Sequence, residues 1–217
     1  MRPRRVVAVV GTGTDVGKTW VAARLLTDLR AAGLRVAARK PAQSFEPHDD
    51  PARRDAAVLG AATGEAPEDV CQPHRWYEVA MAPPMAAEEL GRPSFTIHDL
   101  ESELRWPSEA TDVGLVETAG GLRSPLAVDG DCLSLCEAVA PDAVVLVADA
   151  GLGTINAVRL TLHALGPRAS ITVVVLNRFD AGSDLHQRNL EWLRGRDGRR
   201  ALALPGDEAD LLDLVRG

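Results

Sequence analysis

Short apolar runs alternate with longer amphipathic stretches along nearly the whole chain. VGLVE (113–117), AVVLVAD (143–149) and ITVVVLN (171–177) are apolar on successive residues rather than alternate ones, the pattern of strands buried on both faces of a parallel sheet. RVVAVV (5–10), LRVAAR (34–39) and ALAL (201–204) are further strands. Helical periodicity falls between them, at about Lys18 to Ala32, 51–62, 131–140, 155–165 and 184–194, with a last helix after ALAL. Gly33 is placed to stop the first helix. Residues 63–110 are richer in proline and hold Trp76, Trp106 and the only tyrosine, Tyr77. Repeated βα order without a linker, repeat or low-complexity segment predicts one α/β domain over 1–217. Its mostly parallel central sheet carries helices on both faces, and its ligands belong at the carboxyl ends of the strands.

Composition narrows the class without changing that picture. A chain of 217 residues, 46% hydrophobic, is long enough to bury one sizeable core. A formal charge of −7 argues against a nucleic-acid partner or an anionic membrane surface. The basic start MRPRR precedes an apolar run too short for a signal peptide or a membrane span, and a cytoplasmic protein is expected. Cys71, Cys132 and Cys136 make no disulfide framework or zinc spacing and are expected as buried, reduced thiols, although Cys132 and Cys136 can share a helix face. The five histidines are scattered and suggest no ligand set.

The first strand runs into GTGTDVGKT, a glycine loop that opens a helix. That context suits phosphate: close-wrapped backbone N–H groups and the positive helix end face the anion. Lys18 can reach terminal phosphates, and Thr19 carries the hydroxyl expected on Mg²⁺. Five residues rather than four separate Gly11 from Gly17, and Thr12 replaces the first glycine of the strict motif. The wider loop leaves room beside the γ-phosphate for a second substrate against Thr14 and Asp15.

Other polar residues fall at strand ends. Lys40, before Pro41, is a candidate for stabilising charge on a transferring phosphoryl group, with Ser44 a few residues on. Glu117 ends VGLVE and meets the loop TAGG, where a metal-binding acid suits Mg²⁺. Asp55 alone reads as an ordinary first-turn acid. GLGTIN (151–156) is a second glycine turn suited to an anion such as a carboxylate, and Asn177 has an amide able to pair with a purine edge.

Taken in order, GTGTDVGKT, RKPAQS, RRDA, LVETAGG, GLGTIN, LN and LPGD closely resemble the dethiobiotin synthetase family from residue 5 to about 215. Its members share the longer loop. The resemblance implies a P-loop NTPase-like homodimer that uses ATP and Mg²⁺ on 7,8-diaminononanoate and CO₂. One amine takes up CO₂ as a carbamate, ATP phosphorylates the carbamate, and the other amine closes the ureido ring with loss of phosphate.

By motif, Lys18 and Lys40 would hold the carbamate and γ-phosphate, with Thr14 as a third catalytic residue. Thr14 and Ser44 would line the diamine site, and Thr19, Asp55 and Glu117 would bind Mg²⁺. The nucleotide would lie on Asp15, Val16, Gly17, Lys18, Thr19 and Trp20, on Asp55 and Glu117, and on Thr118, Ala119 and Gly120. Asn177, Arg178 and the turn Pro205, Gly206, Asp207 would complete its site around the adenine. Gly153, Thr154 and Asn156 would meet the carboxylate tail of substrate bound mainly by the partner subunit.

Three departures stand out: Thr118 for a common glycine, Asp15 for a common glutamate and Ala157 for a histidine often found there. Thr118 is expected to keep its backbone N–H available to ligand. Three other classes remain in view: a related P-loop amidoligase or carbamate-forming synthase on another amine, a ParA/MinD-type ATPase, and a nucleotide-binding scaffold without catalysis. The loop lacks the early signature lysine of ParA/MinD proteins, and Lys18 and Lys40 with three candidate metal ligands speak against the scaffold.

Overall fold

The computed structural model describes residues 1–216. Its central sheet contains β1 (Arg5–Gly11), β2 (Val36–Arg39), β3 (Val113–Glu117), β4 (Ala143–Asp149), β5 (Thr172–Asn177) and β6 (Ala201–Leu204). The order is β6-β5-β4-β1-β3-β2, with every neighbouring pair parallel. The main helices are α1 (Lys18–Ala31), α2 (Asp55–Thr63), α3 (Cys132–Val139), α4 (Thr154–Leu165), α5 (Asp184–Glu191) and α6 (Glu208–Arg216).

Alternation along β1 divides the core between the two faces. Val7 and Val9 pack with Leu25, Leu26 and Leu29 of α1, Leu59 of α2 and Val215 of α6. Ala8 and Val10 face the other way, toward Cys136 of α3, Val158 and Leu162 of α4 and Leu190 of α5. Full burial of each such leucine contributes roughly 1.5–3 kcal/mol, so both layers hold the sheet firmly. The proline-rich segment covers the remainder of the second face: Tyr77, Phe95 and Leu100 pack with Val6, Val116 and Leu135.

Several boundaries shift for identifiable reasons. β2 starts at Val36 rather than 34 because the Leu34 N–H donates to Leu29 O and belongs to the end of α1, with Gly33 at φ 83° making the turn. The helix expected over 51–62 is split: Pro51–Arg53 is a single turn, and extended Arg54 (ψ 147°) precedes α2, which therefore opens on Asp55. Beyond α5, Trp192–Arg196 widens into a π-helical turn. The three cysteines are buried and free. Cys132 and Cys136 stand one turn apart on the same side of α3, and each adds to a different apolar cluster.

Candidate active site

The carboxyl ends of β1, β2 and β3 bring the site together. Beyond β1 the loop turns back into α1, and Gly17 is held at φ 88°. A Cβ on Gly17 would lie 2.0 Å from Asn177 Nδ2, so both conformation and space demand glycine. Asn177, at the end of β5, donates to Val16 O at 2.9 Å, and Arg178 Nη2 donates to Asp15 O at 2.7 Å. Residues predicted for the nucleotide thus also brace the loop. The Lys18 ammonium folds over it, 3.1 Å from Gly13 O.

Glu117 ends β3 opposite Val9 of β1, which places its carboxylate beside the loop. Thr19 Oγ1 lies 2.7 Å from Asp55 Oδ1 and 2.8 Å from Glu117 Oε1. Lys40 enters from the end of β2, where Val70 O accepts its backbone N–H. Its Nζ lies 2.6 Å from Glu117 Oε1 and 2.7 Å from Asp55 Oδ2. Glu117 is fully buried and Lys40 nearly so, at 0% and 3% side-chain exposure, whereas the Asp55 side chain is 37% exposed.

This proximity sets the ionisation. Burial opposes the charge on Lys40, but Asp55 and Glu117 outweigh it and hold the ammonium above the ordinary lysine range. Burial also opposes ionisation of Asp55, and there Lys40 wins, keeping the carboxyl below its usual range. For Glu117 burial prevails over Lys40, with the Asp55 charge adding to it, and the carboxyl is pushed up. Burial and then the nearby Lys40 charge pull Lys18 down.

A cavity of about 640 Å³ opens over these groups. Of the predicted residues, Thr14, Asp15, Gly17, Lys18, Thr19, Lys40, Ser44, Asp55, Glu117, Ala119, Gly120 and Arg178 line it. Thr118 does not, and its N–H is not available: it donates to Val9 O at 3.0 Å, while Oγ1 lies 3.3 Å from the same oxygen. This bond flanks Val9–Glu117, the last pair of the β1–β3 ladder. One N–H of the Asn177 amide is committed to the loop, and its second N–H and Oδ1 make no bond within it. Trp20 is about half exposed, and the Val16 side chain is buried.

Pro205, Gly206 and Asp207 follow Leu204, which pairs with Asn177, and do not line the cavity. Asp207 already accepts from Arg194 Nη2 at 2.7 Å and from Ala203 N at 2.9 Å. Gly153, Thr154 and Asn156 lie at the start of α4, outside the cavity, where Thr154 Oγ1 is buried without a partner among the described residues. Sequence reasoning missed Gln43, Phe45, Asp49, Met81 and Ser124, which line the same cavity. Gln43 stood in plain view beside Ser44; Met81 lies in the proline-rich stretch, which carried no pattern.

The loop, the strand-end acid and the lysine on an all-parallel sheet define a phosphate-loop nucleotide-binding protein of the α/β class. Solved structures agree at the level of fold. Chloroplast FtsY from Physcomitrella patens is 18% identical with a TM-score of 0.55, over 99% of this chain and 66% of that one. The signal recognition particle receptor FtsY from Elizabethkingia anophelis is 16% identical with a TM-score of 0.56, over 100% and 67%. The family model described as an AAA domain matches residues 5–203.

Relatives named ATP-dependent dethiobiotin synthetase BioD match most of the chain. That of an Anaeromyxobacter species is 36% identical over 98% of this chain and 96% of its own length. Those of Haloferax mediterranei and Caulobacter vibrioides are 35% and 40% identical, over 91% and 82% of this chain and 82% of each relative. The chain belongs to the dethiobiotin synthetase family.

Proposed function

We propose that the protein catalyses the ATP-dependent conversion of 7,8-diaminononanoate and CO₂ to dethiobiotin, the ureido-ring closure of biotin biosynthesis. The observation that carries this reading is Lys40, an ammonium buried between two acids at the mouth of a phosphate loop. Family membership supports ATP as the phosphoryl donor and does not favour an amidoligase or a ParA/MinD-type ATPase.

In this reading one substrate amine attacks CO₂, forming the N–C bond of a carbamate with loss of a proton. A carbamate oxygen then attacks the γ-phosphorus, and the bond to the leaving ADP oxygen breaks. The second amine attacks the carbonyl carbon, closes the ring and expels inorganic phosphate. Lys18 and Lys40 hold the carbamate and phosphoryl oxygens, so that charge developing on them meets fixed cations. Thr14 and Ser44 line the diamine side of the cavity, and much of the catalysis is positioning.

The donor set fits Mg²⁺. Thr19, Asp55 and Glu117 converge three hard oxygens, and Glu117 Oε2 is buried without a hydrogen-bond partner among the described residues. Bound there, Mg²⁺ would neutralise charge on the phosphates. We read the protein as a homodimer: α4 starts away from its own cavity, and Leu152 and Leu160 beside and on it are 92% and 63% exposed. No described helix is long and apolar enough to cross a membrane, in keeping with a cytoplasmic enzyme.

The test is purified protein with Mg²⁺, ATP, bicarbonate and 7,8-diaminononanoate, read by mass spectrometry and a phosphate assay. Dethiobiotin with matching phosphate release is expected. Phosphate released equally without the diamine would instead make the protein a stand-alone ATPase. Light scattering on the same preparation tests the dimer.

A further inference from the structure

Gln43 lies between Lys40 and Ser44 in sequence and is 3% exposed. Its Oε1 accepts the backbone N–H of Ala56 at 3.0 Å, immediately after Asp55 in α2. A backbone N–H only donates, so this bond fixes the amide: oxygen toward α2, the NH₂ group away from it. Nε2 is buried and has no partner among the described residues. Gln43 lines the same cavity as Lys40 and Ser44, and Ser44 Oγ is also without a partner. A buried donor left unmade carries the full loss of its hydration, so an amide held in that state points to an acceptor on a ligand.

The proposed substrates differ in what they offer such a donor. A protonated amine presents only donors, the ATP phosphates belong to the glycine loop, and the substrate's carboxylate tail is read as reaching the start of α4 of the partner subunit. A carbamate presents two oxygens that share a negative charge. Lys40 supplies a point charge to that group, while a planar amide N–H adds direction, and the two together distinguish a carbamate from an ammonium. We infer that Gln43 is a specificity-determining residue whose Nε2 donates to a carbamate oxygen, so that the site selects the carboxylated diamine over the free one. This rests on the activity proposed above. The link to Ala56 makes Gln43 also a brace for the helix that begins with Asp55.

Two variants separate these roles. Gln43→Glu keeps an oxygen for Ala56 N–H and replaces only the free NH₂; Gln43→Met removes both ends at similar volume. The readouts are the CO₂ concentration for half-maximal dethiobiotin formation, ATP affinity, and the carbon-13 signal of bound carbamate with labelled bicarbonate and diamine in the absence of nucleotide. Loss of a hydrogen bond to a charged acceptor predicts that both variants need roughly 10- to 100-fold more CO₂, with ATP affinity within about twofold. Both should also lose the carbamate signal at CO₂ levels that saturate the parent.

Unchanged CO₂ dependence in both variants would overturn the assignment. A defect in Gln43→Met alone would reduce Gln43 to a structural brace, and a defect in Gln43→Glu alone would trace to the introduced charge; either result also overturns it. A parent protein that makes no dethiobiotin refutes the underlying reading, a result visible before any variant is made.

Discussion

Lys40→Gln removes the ammonium from a carboxylate that has no exposure to water. Glu117 would keep Thr19 as a neutral partner but lose the cation 2.6 Å from its Oε1. Breaking a buried ion pair by deleting one partner costs roughly 3–5 kcal/mol, because the other charge stays buried and uncompensated. The Asp55 contact adds less, since that side chain is 37% exposed and screened. For a chain of this size the loss corresponds to a melting temperature lower by about 6–20 °C.

The pH dependence has a definite sign. Glu117 is already raised above its ordinary 4.5 by burial, working against Lys40, and without Lys40 it rises further. A folded-state value above the unfolded one gives stability that is present below the unfolded value and lost as pH rises through the folded one. The deficit of Lys40→Gln is therefore smaller near about pH 5 than near about pH 8, where the parent retains Lys40 protonated. Urea unfolding without nucleotide or metal measures this, with Lys40→Gln/Glu117→Gln as control. The double variant removes the fully buried carboxylate that the single one strands and should regain much of the loss. A single variant within about 1 kcal/mol of the parent at both pH values, or a deficit that grows on acidification, would refute the reasoning. In separate assays Lys40→Gln should largely retain ATP binding while the diamine-dependent rate falls by orders of magnitude.

Gly17→Ala forces a Cβ to 2.0 Å from Asn177 Nδ2 at φ 88°, and should lower both melting temperature and ATP affinity, measured by thermal unfolding and calorimetry. Asp55 stays ionised because Lys40 outweighs burial, so its contribution is present above its ordinary 3.8 and lost as pH falls; Asp55→Asn should flatten the acid limb of the stability curve. The same variant should raise the Mg²⁺ concentration needed for turnover. Burial pushes Cys71 to about 12 and Cys136 to about 11, so native protein should react slowly with Ellman's reagent near about pH 8 and expose three thiols on denaturation.

The sequence carried the sheet because its strands are continuous apolar runs, and a polar residue ending such a run declares a strand terminus. Lys40, Glu117 and Asn177 were legible in that way. Thr118 was misjudged because sequence does not reveal where the bonds flanking a ladder end, and here Val9 O captures its N–H. Gln43 stands beside Ser44 in the sequence, but its bond to Ala56 could not be read there, because it crosses from one segment to the start of another helix. The proline-rich stretch resisted reading for a different reason. Pro67–Val70, Pro83–Glu89 and Ile97–Ser102 span 4, 7 and 6 residues, and helices of about two turns or fewer show no usable periodicity. Their apolar residues are recognisable as core only once Tyr77 and Leu100 are seen against Val6 and Val116.

The resting site balances its own charges: Lys18 and Lys40 face Asp55 and Glu117 within one cavity. Lys40 is held by both acids, yet its proposed work is on a substrate oxyanion, and the acids' proposed work is on a divalent cation. Neither partner is therefore free until the other finds a replacement. An anion that draws Lys40 away leaves Glu117 buried and uncompensated, and that state is tolerable only if a cation takes the lysine's place. The raised carboxyl of Glu117 reports the same tension, since burial already outweighs the lysine beside it. Under the proposed roles, coupling of this kind makes anion binding costly without a metal ion and favourable with one, so the same geometry disfavours phosphoryl transfer before both the anion and the cation are in place.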